Sequence, residues 1–352
     1  MTIRPLLAAG ALAFPALLGA QPRGPILDMH MHAREAAHYG ATGLPLCAPV
    51  DRMPRWDQRK PLQEDDTGPP LCATPLVSPA TDSALLRQTL AAMARHDVVG
   101  VLGGRPALVA EWMRAAPGRF IPALDLRFDS AGRAIAATAS GAPTMPMPVD
   151  SVRALHARGA FAVLAEVMNQ YAGIAPDDPR LEPYFALAES LDVPVGIHVG
   201  GGEPGQPYQG RGFRARLQSA LTLEEVLVRH PRLRLYVMHA GYPLLDDLLA
   251  LLFSHPQVYV ELSMADNVER RPAFHRFLRG IVEAGYADRV MFGSDSMVWP
   301  GLIDAAVRGI EEATYLTPAQ RRGIYYDNAA RFLRLTPERI ARDHARTRSA
   351  TP

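Results

Sequence analysis

The sequence predicts a (β/α)8 barrel, and three observations lead there. Eight short apolar runs recur along the chain, segments of helical character separate them, and together they occupy roughly 300 residues, the length of one such barrel. The runs are ILDMHMH (26–32), VVGVLGG (98–104), FIPALDLRF (120–128) and AFAVLAEV (160–167), then PVGIHVG (194–200), LRLYVMHAG (233–241), VYVELSM (258–264) and RVMFGSDS (289–296). Each is almost continuously hydrophobic, as parallel strands are when helices cover both faces of their sheet. A doubly wound open sheet is the alternative, but no G-x-G-x-x-G follows the first run.

The intervening segments read as helices. TDSALLRQTLAAMARH (81–96) opens on Thr81 or Asp82 as its cap, and LTLEEVLVRHP (221–231) places Thr222 and Glu225 at capping-box spacing. PLLDDLLALLFSHP (243–256) ends, like the segment before it, on a proline directly ahead of the next strand. Two stretches break the alternation: residues 33–80, rich in proline and charge, and residues 129–148, rich in Gly, Ala, Ser and Pro. Both leave the C-terminal ends of strands, the face on which barrels build their sites, and the longer one reads as a lid-like insertion. Residues 21–335 are therefore expected to form the barrel and residues 336–352 a polar C-terminal tail.

Residues 1–20, MTIRPLLAAGALAFPALLGA, carry one arginine, a short apolar stretch and a small-residue end. That is the pattern of a secretory signal, too short and too proline-broken for a membrane span. The mature chain is thus expected in the periplasm or outside the cell, with no membrane anchor left after cleavage. In an oxidising compartment Cys47 and Cys72 can close a disulfide around the 24 residues between them, two buried thiols being the alternative. Net charge is +1 over 352 residues, with both signs mixed along the chain. This excludes a nucleic-acid groove or a polybasic membrane patch, and leaves a small molecule as the expected ligand, with a homo-oligomer compatible.

Polar residues able to bind a metal stand at one end of strand after strand. His30 and His32 alternate along the first, so one face of a strand carries both. Glu166 ends the fourth, His198 the fifth, His239 the sixth and Asp295 the eighth. If the strands close into a barrel, these side chains converge at its C-terminal mouth. Imidazole and carboxylate donors in that number suit Zn²⁺, with Mn²⁺ or Fe²⁺ as alternatives. Arg127 at the end of the third strand, Tyr171 after the fourth and Arg211 in GGGEPGQPYQGRGF are candidates for holding a substrate, the arginines suiting a carboxylate.

The ordered series D-M-H-M-H, A-E-V-M-N-Q-Y, G-I-H-V-G-G-G, V-M-H-A-G-Y-P, V-Y-V-E-L-S, M-F-G-S-D-S and D-N-A-A-R-F-L resembles the amidohydrolase superfamily. The likeness is greatest to its amidohydrolase-related branch of metal-dependent hydrolases and decarboxylases, and it spans roughly residues 25–335. The resemblance implies that His30, His32, His198 and Asp295 bind metal, and that His239 either binds a second ion or acts beside the substrate carbonyl. Many superfamily members bridge two metals with a carbamylated lysine on the fourth strand. Lys60 is the only lysine here and lies in the first loop, so Glu166 would have to complete the site. One ion with His239 free, or two ions bridged by Glu166, both remain open.

The activity implied is a metal-dependent hydrolase that uses metal-activated water to cleave an ester, lactone or amide bond of a small, carboxylated or neutral substrate. Asp295 would serve as base and then acid, and His239 would polarise the carbonyl. The alternatives are a non-oxidative decarboxylase of an aromatic or unsaturated carboxylic acid, and an exported barrel that binds metal or ligand without turnover.

Overall fold

The computed structural model describes residues 24–60, 71–129, 131–136, 145–202, 204–208 and 212–349. The leader-like residues 1–20 lie outside them, as does Arg211. Eight parallel strands form the barrel: β1 Ile26–Ala33, β2 Val98–Gly104, β3 Phe120–Phe128, β4 Val163–Met168, β5 Val195–His198, β6 Leu235–Met238, β7 Tyr259–Glu261 and β8 Val290–Met291. They pair in sequence order from β1 through β8. Backbone hydrogen bonds from Met29 to Phe292 (2.9 Å) and from His32 to Ser296 (3.2 Å) join the first strand to the residues that continue the last. The expected fold class is the observed one.

Helices among the described residues alternate with these strands and cover the outside: α1 Asp82–His96, α2 Pro106–Ala115, α3 Val149–Ala157, α4 Glu182–Ser190, α5 Glu224–Arg229, α6 Leu245–Ser254, α7 Arg271–Glu283 and α8 Gly301–Glu311. Thr81 caps α1 by accepting the Ala84 amide at 3.2 Å. The Thr222 cap does not form. Residues Ala220–Leu223 make a 3-10 turn capped by Ser219, and α5 starts only at Glu224, because Ser219 offers its oxygen to Leu221 first. Among the described residues no helix is long and apolar enough to cross a membrane.

Two apolar layers hold the barrel together. Leu27, Met29, Val99, Ile121, Val163 and Met238 belong to an inner cluster, closed below by Tyr326 and Phe332. Ile26, Met31 and Ala33 instead pack with the helices. A register shift between Asp28 and Met31 makes this possible. It lets Met29 fill the barrel and still turns His30 and His32 to the same side.

The segment after β1 folds over neighbouring loops. Pro45–Leu46 pairs antiparallel with Leu76–Val77, Val50 donates its amide to Val268, and Trp299 Nε1 donates to the Leu44 carbonyl at 2.7 Å. Trp56 meets Tyr208 with ring centroids 5.3 Å apart. Cys47 and Cys72 are joined by a disulfide. Closing a loop of this length restricts the unfolded chain by about 3 kcal/mol. Replacing both cysteines by serine is expected to lower the unfolding free energy by that order, read as a lower denaturation midpoint in urea. At the other end of the chain, Pro337–Ser349 is a helix. It docks beneath the barrel through Tyr326, whose hydroxyl donates to Asp343 Oδ2 at 2.9 Å.

Candidate metal centre

His30 and His32 point into one space, with their Nε2 atoms 3.0 Å apart. Asp295 reaches the same point from the chain after β8, its Oδ1 lying 3.5 Å from His30 Nε2 and 3.2 Å from His32 Nε2. Glu166, at the end of β4, faces them with Oε2 at 3.7 and 3.6 Å. Its other oxygen, Oε1, meets His198 Nδ1 at 2.5 Å and His239 Nε2 at 3.3 Å. All six residues are at least nine-tenths buried. The six candidates from six positions in the sequence form one continuous cluster.

Three overlapping sets of donor atoms within it could hold a cation: His30–His32–Asp295, Glu166–His198–His239 and His30–His239–Glu261. A test of fit is the spacing. Ligands at about 2.0–2.1 Å from a tetrahedral Zn²⁺ stand roughly 3.3 Å apart, and the separations above bracket that value. A second test is the orphaned atoms. Asp295 Oδ1 and His198 Nε2 are buried without a hydrogen-bond partner, a costly arrangement unless something else satisfies them. Both tests favour a divalent cation.

The backbone is unusual where the site is made. His239 (φ 60°) and Asp295 (φ 46°) both adopt the left-handed region, which costs a non-glycine residue about 1 kcal/mol or more. At His239 that conformation follows directly on the last residue of β6, Met238, and ends its ladder. It also explains why the sixth strand is shorter than its apolar run suggests.

Around the cluster lies a ring of buried groups that the sequence did not single out. Asp125, in mid-β3, bonds His32 Nδ1 through Oδ2 at 3.0 Å, pairs with Arg34 Nη2 at 2.8 Å and accepts the Glu166 amide at 3.0 Å. Glu261, at the end of β7, bonds His30 Nδ1 at 3.2 Å. These partners hold the Nδ1 sides of both rings, which leaves the Nε2 sides to the centre. Two glycines make room: a Cβ at Gly103 would collide with Asp125, and one at Gly293 with Glu261.

Burial opposes ionisation of Glu166 and Asp295, yet the imidazoles around them outweigh it. Glu166 is held well below the usual carboxylate range chiefly by His198, and Asp295 below it by His30 and His32. Asp28, fully buried at the foot of this ring, goes the other way: burial pushes it to about 7, against hydrogen bonds from Ser294 and the His30 amide.

The substrate candidates divide. The Tyr171 ring lies against His198 at 4.7 Å and against Phe213 at 5.9 Å, beside the centre. Arg127 is half-buried, with its Nε donating to Met168 Sδ at 3.4 Å.

The fold and this cluster define a barrel enzyme class that gathers histidines and carboxylates at its C-terminal mouth. The chain belongs to the amidohydrolase family, whose profile matches residues 27–335. No curated protein matches the sequence. Among solved structures it is similar to 2,6-dihydroxybenzoate decarboxylase from Rhizobium, 19% identical with a TM-score of 0.54, over 89% of this chain and 99% of that one. It is also similar to a probable 2-pyrone-4,6-dicarboxylic acid hydrolase from Acinetobacter baumannii, 13% identical with a TM-score of 0.52, over 88% and 99%. A third is 5-carboxyvanillate decarboxylase from Sphingomonas paucimobilis, 18% identical with a TM-score of 0.50, over 70% and 82%. At these identities the likeness is one of fold.

Proposed function

We propose that this chain is a divalent-metal-dependent hydrolase that cleaves an ester, lactone or amide bond of a small substrate. The observation that carries the reading is Asp295, a buried carboxylate within 3.5 Å of two facing imidazoles, with one oxygen unpartnered. His30, His32 and Asp295 would hold the ion, with Glu166 and His198 completing its surroundings. Zinc suits this mixture of nitrogen and oxygen donors, manganese and iron being the alternatives. When bound, the cation supplies a Lewis acid that polarises a carbonyl oxygen and makes water easier to deprotonate.

The chain's own groups do the rest. Asp295 takes a proton from the attacking water and returns it to the leaving group. His239, whose Nδ1 lies 3.1 Å from the Ser263 carbonyl, turns its Nε2 lone pair to the centre beside Glu166, where it would complete the surroundings of the ion. Tyr171 covers one side of the site. Arg127, near the end of β3, would meet an anionic substituent of the substrate. The disulfide and the leader-like residues 1–20 support a place in the periplasm or outside the cell.

Elemental analysis and a substrate panel test this. We expect one or two ions per chain. We also expect chelation to abolish turnover of lactones and esters, and Zn²⁺, Mn²⁺ or Fe²⁺ to restore it, with ¹⁸O from water appearing in the product. Carbon dioxide release from aryl carboxylates without ¹⁸O incorporation would overturn hydrolysis in favour of decarboxylation. A metal-free protein would overturn both.

A further inference from the structure

Glu261, the last residue of β7, and Ser263, two residues further on, are both wholly buried, and the proposed chemistry gives neither a step. Their contacts close a small network. The Ser263 amide donates to Glu261 Oε1, and the Ser263 hydroxyl donates to Glu261 Oε2 at 3.0 Å. That same hydroxyl oxygen lies 3.0 Å from His30 Nδ1 and 3.1 Å from His239 Nδ1. Glu261 Oε2 is itself 3.2 Å from His30 Nδ1 and 3.4 Å from the His239 amide.

A hydroxyl has one hydrogen and two lone pairs. With the hydrogen given to Glu261, its lone pairs are what remain for the two imidazoles. Each ring must then carry its proton on Nδ1. In that tautomer the Nε2 lone pair of His30 is turned toward His32 Nε2 at 3.0 Å, and that of His239 toward His198 Nδ1 at 3.0 Å. Were the hydroxyl to donate to either ring instead, that ring would aim an N–H into the centre, where a cation cannot be bound.

We infer that Glu261 and Ser263 are a positioning pair that fixes the tautomers of His30 and His239 together, presenting both Nε2 atoms to one metal centre. The two rings stand with centroids 5.1 Å apart, His30 beside Asp295 and His239 beside Glu166. One buried hydroxyl therefore ties the two donor sets to each other. This rests on the proposal that the centre binds a divalent cation through these rings. Neither residue touches the substrate.

The test compares wild-type protein, Ser263→Ala and Glu261→Gln. Zn²⁺ affinity is measured by competition with a chromophoric chelator, the ligand field by the visible spectrum of the cobalt-substituted protein, and folding by the melting of the metal-free form. Loss of such a partner typically costs about 10–100-fold in metal affinity. Ser263→Ala leaves His239 its bond to the Ser263 carbonyl, so a loss of about tenfold is expected, with shifted cobalt bands and metal-free melting within a few degrees of wild type. Glu261→Gln should lose more, because its amide can offer His30 a donor. Should Glu261→Gln fail to fold, Ser263→Ala decides alone. Affinity within twofold of wild type and an unchanged cobalt spectrum in Ser263→Ala would overturn the inference. A wild-type protein that binds no Zn²⁺ would overturn the metal reading beneath it.

Discussion

Asp295→Asn is expected to lower kcat about 10³-fold while retaining metal to within about tenfold of wild type, because general acid–base groups contribute on the order of 10²–10⁴. Asparagine preserves the shape of the side chain and one acceptor oxygen, so a ligand position survives. It cannot take a proton, so the proton shuttle does not. The variant should also fold. Residue 295 has φ 46°, and asparagine tolerates the left-handed region better than almost any residue except glycine. The separation of the two readouts is the point: kcat measured at saturating substrate, metal content measured on the same sample. Turnover within tenfold of wild type would remove Asp295 from the role of base.

How far the sequence reaches into this site depends on the range of the interactions involved. The histidine pair is legible because strand periodicity is local: two residues apart on one strand means one face. Glu166, His198, His239 and Asp295 are legible because a barrel brings strand ends together whatever the exact register. Asp125 is not. It sits in FIPALDLRF among apolar residues, and its meaning lies in His32, 93 residues away, and in the Glu166 amide. Arg34 reads as the start of a solvated loop, although the fold buries it against Asp125. The signal that was present is glycine: Gly103 and Gly293 each stand where a buried carboxylate needs the volume of a side chain. Glu261 and Ser263 lie within the V-Y-V-E-L-S run, where hydrophobic pattern marks a strand but says nothing of a charged group turned inward. The ladders also stop short of the apolar runs, for a related reason. An apolar run such as RVMFGSDS stays buried past Met291 while its ladder stops, since burial and hydrogen-bonded pairing are separate properties.

The largest effect on stability is expected at Asp125. This carboxylate is completely buried and is the acidic partner of Arg34, itself 4% exposed. Burial works against its charge, but His32 and Arg34 hold it below the usual carboxylate range. Asp125→Ala would leave a buried guanidinium without the carboxylate in contact with it, and two of its nitrogens, Nε and Nη1, already lack a hydrogen-bond partner. Breaking a buried pair from one side typically costs about 3–5 kcal/mol, much of it the penalty on the charge left behind. His32 Nδ1 loses its carboxylate partner and the Glu166 amide its acceptor as well. Asp125→Ala should therefore fall by at least about 3 kcal/mol in urea unfolding of the metal-free protein, and Asp125→Asn, which keeps the shape but not the charge, by somewhat less. Adding Arg34→Met to Asp125→Ala removes the stranded cation, so the double variant should recover part of the loss, with a coupling of about 1–3 kcal/mol. Additive effects in that cycle would mean that Arg34 is compensated elsewhere. The same variants separate stability from function. Arg34→Met alone should leave His32 still bonded to Asp125 and cost less metal affinity than Asp125→Ala, in which the partner left to His32 Nδ1 is the Arg34 guanidinium at 2.9 Å, a donor in place of an acceptor.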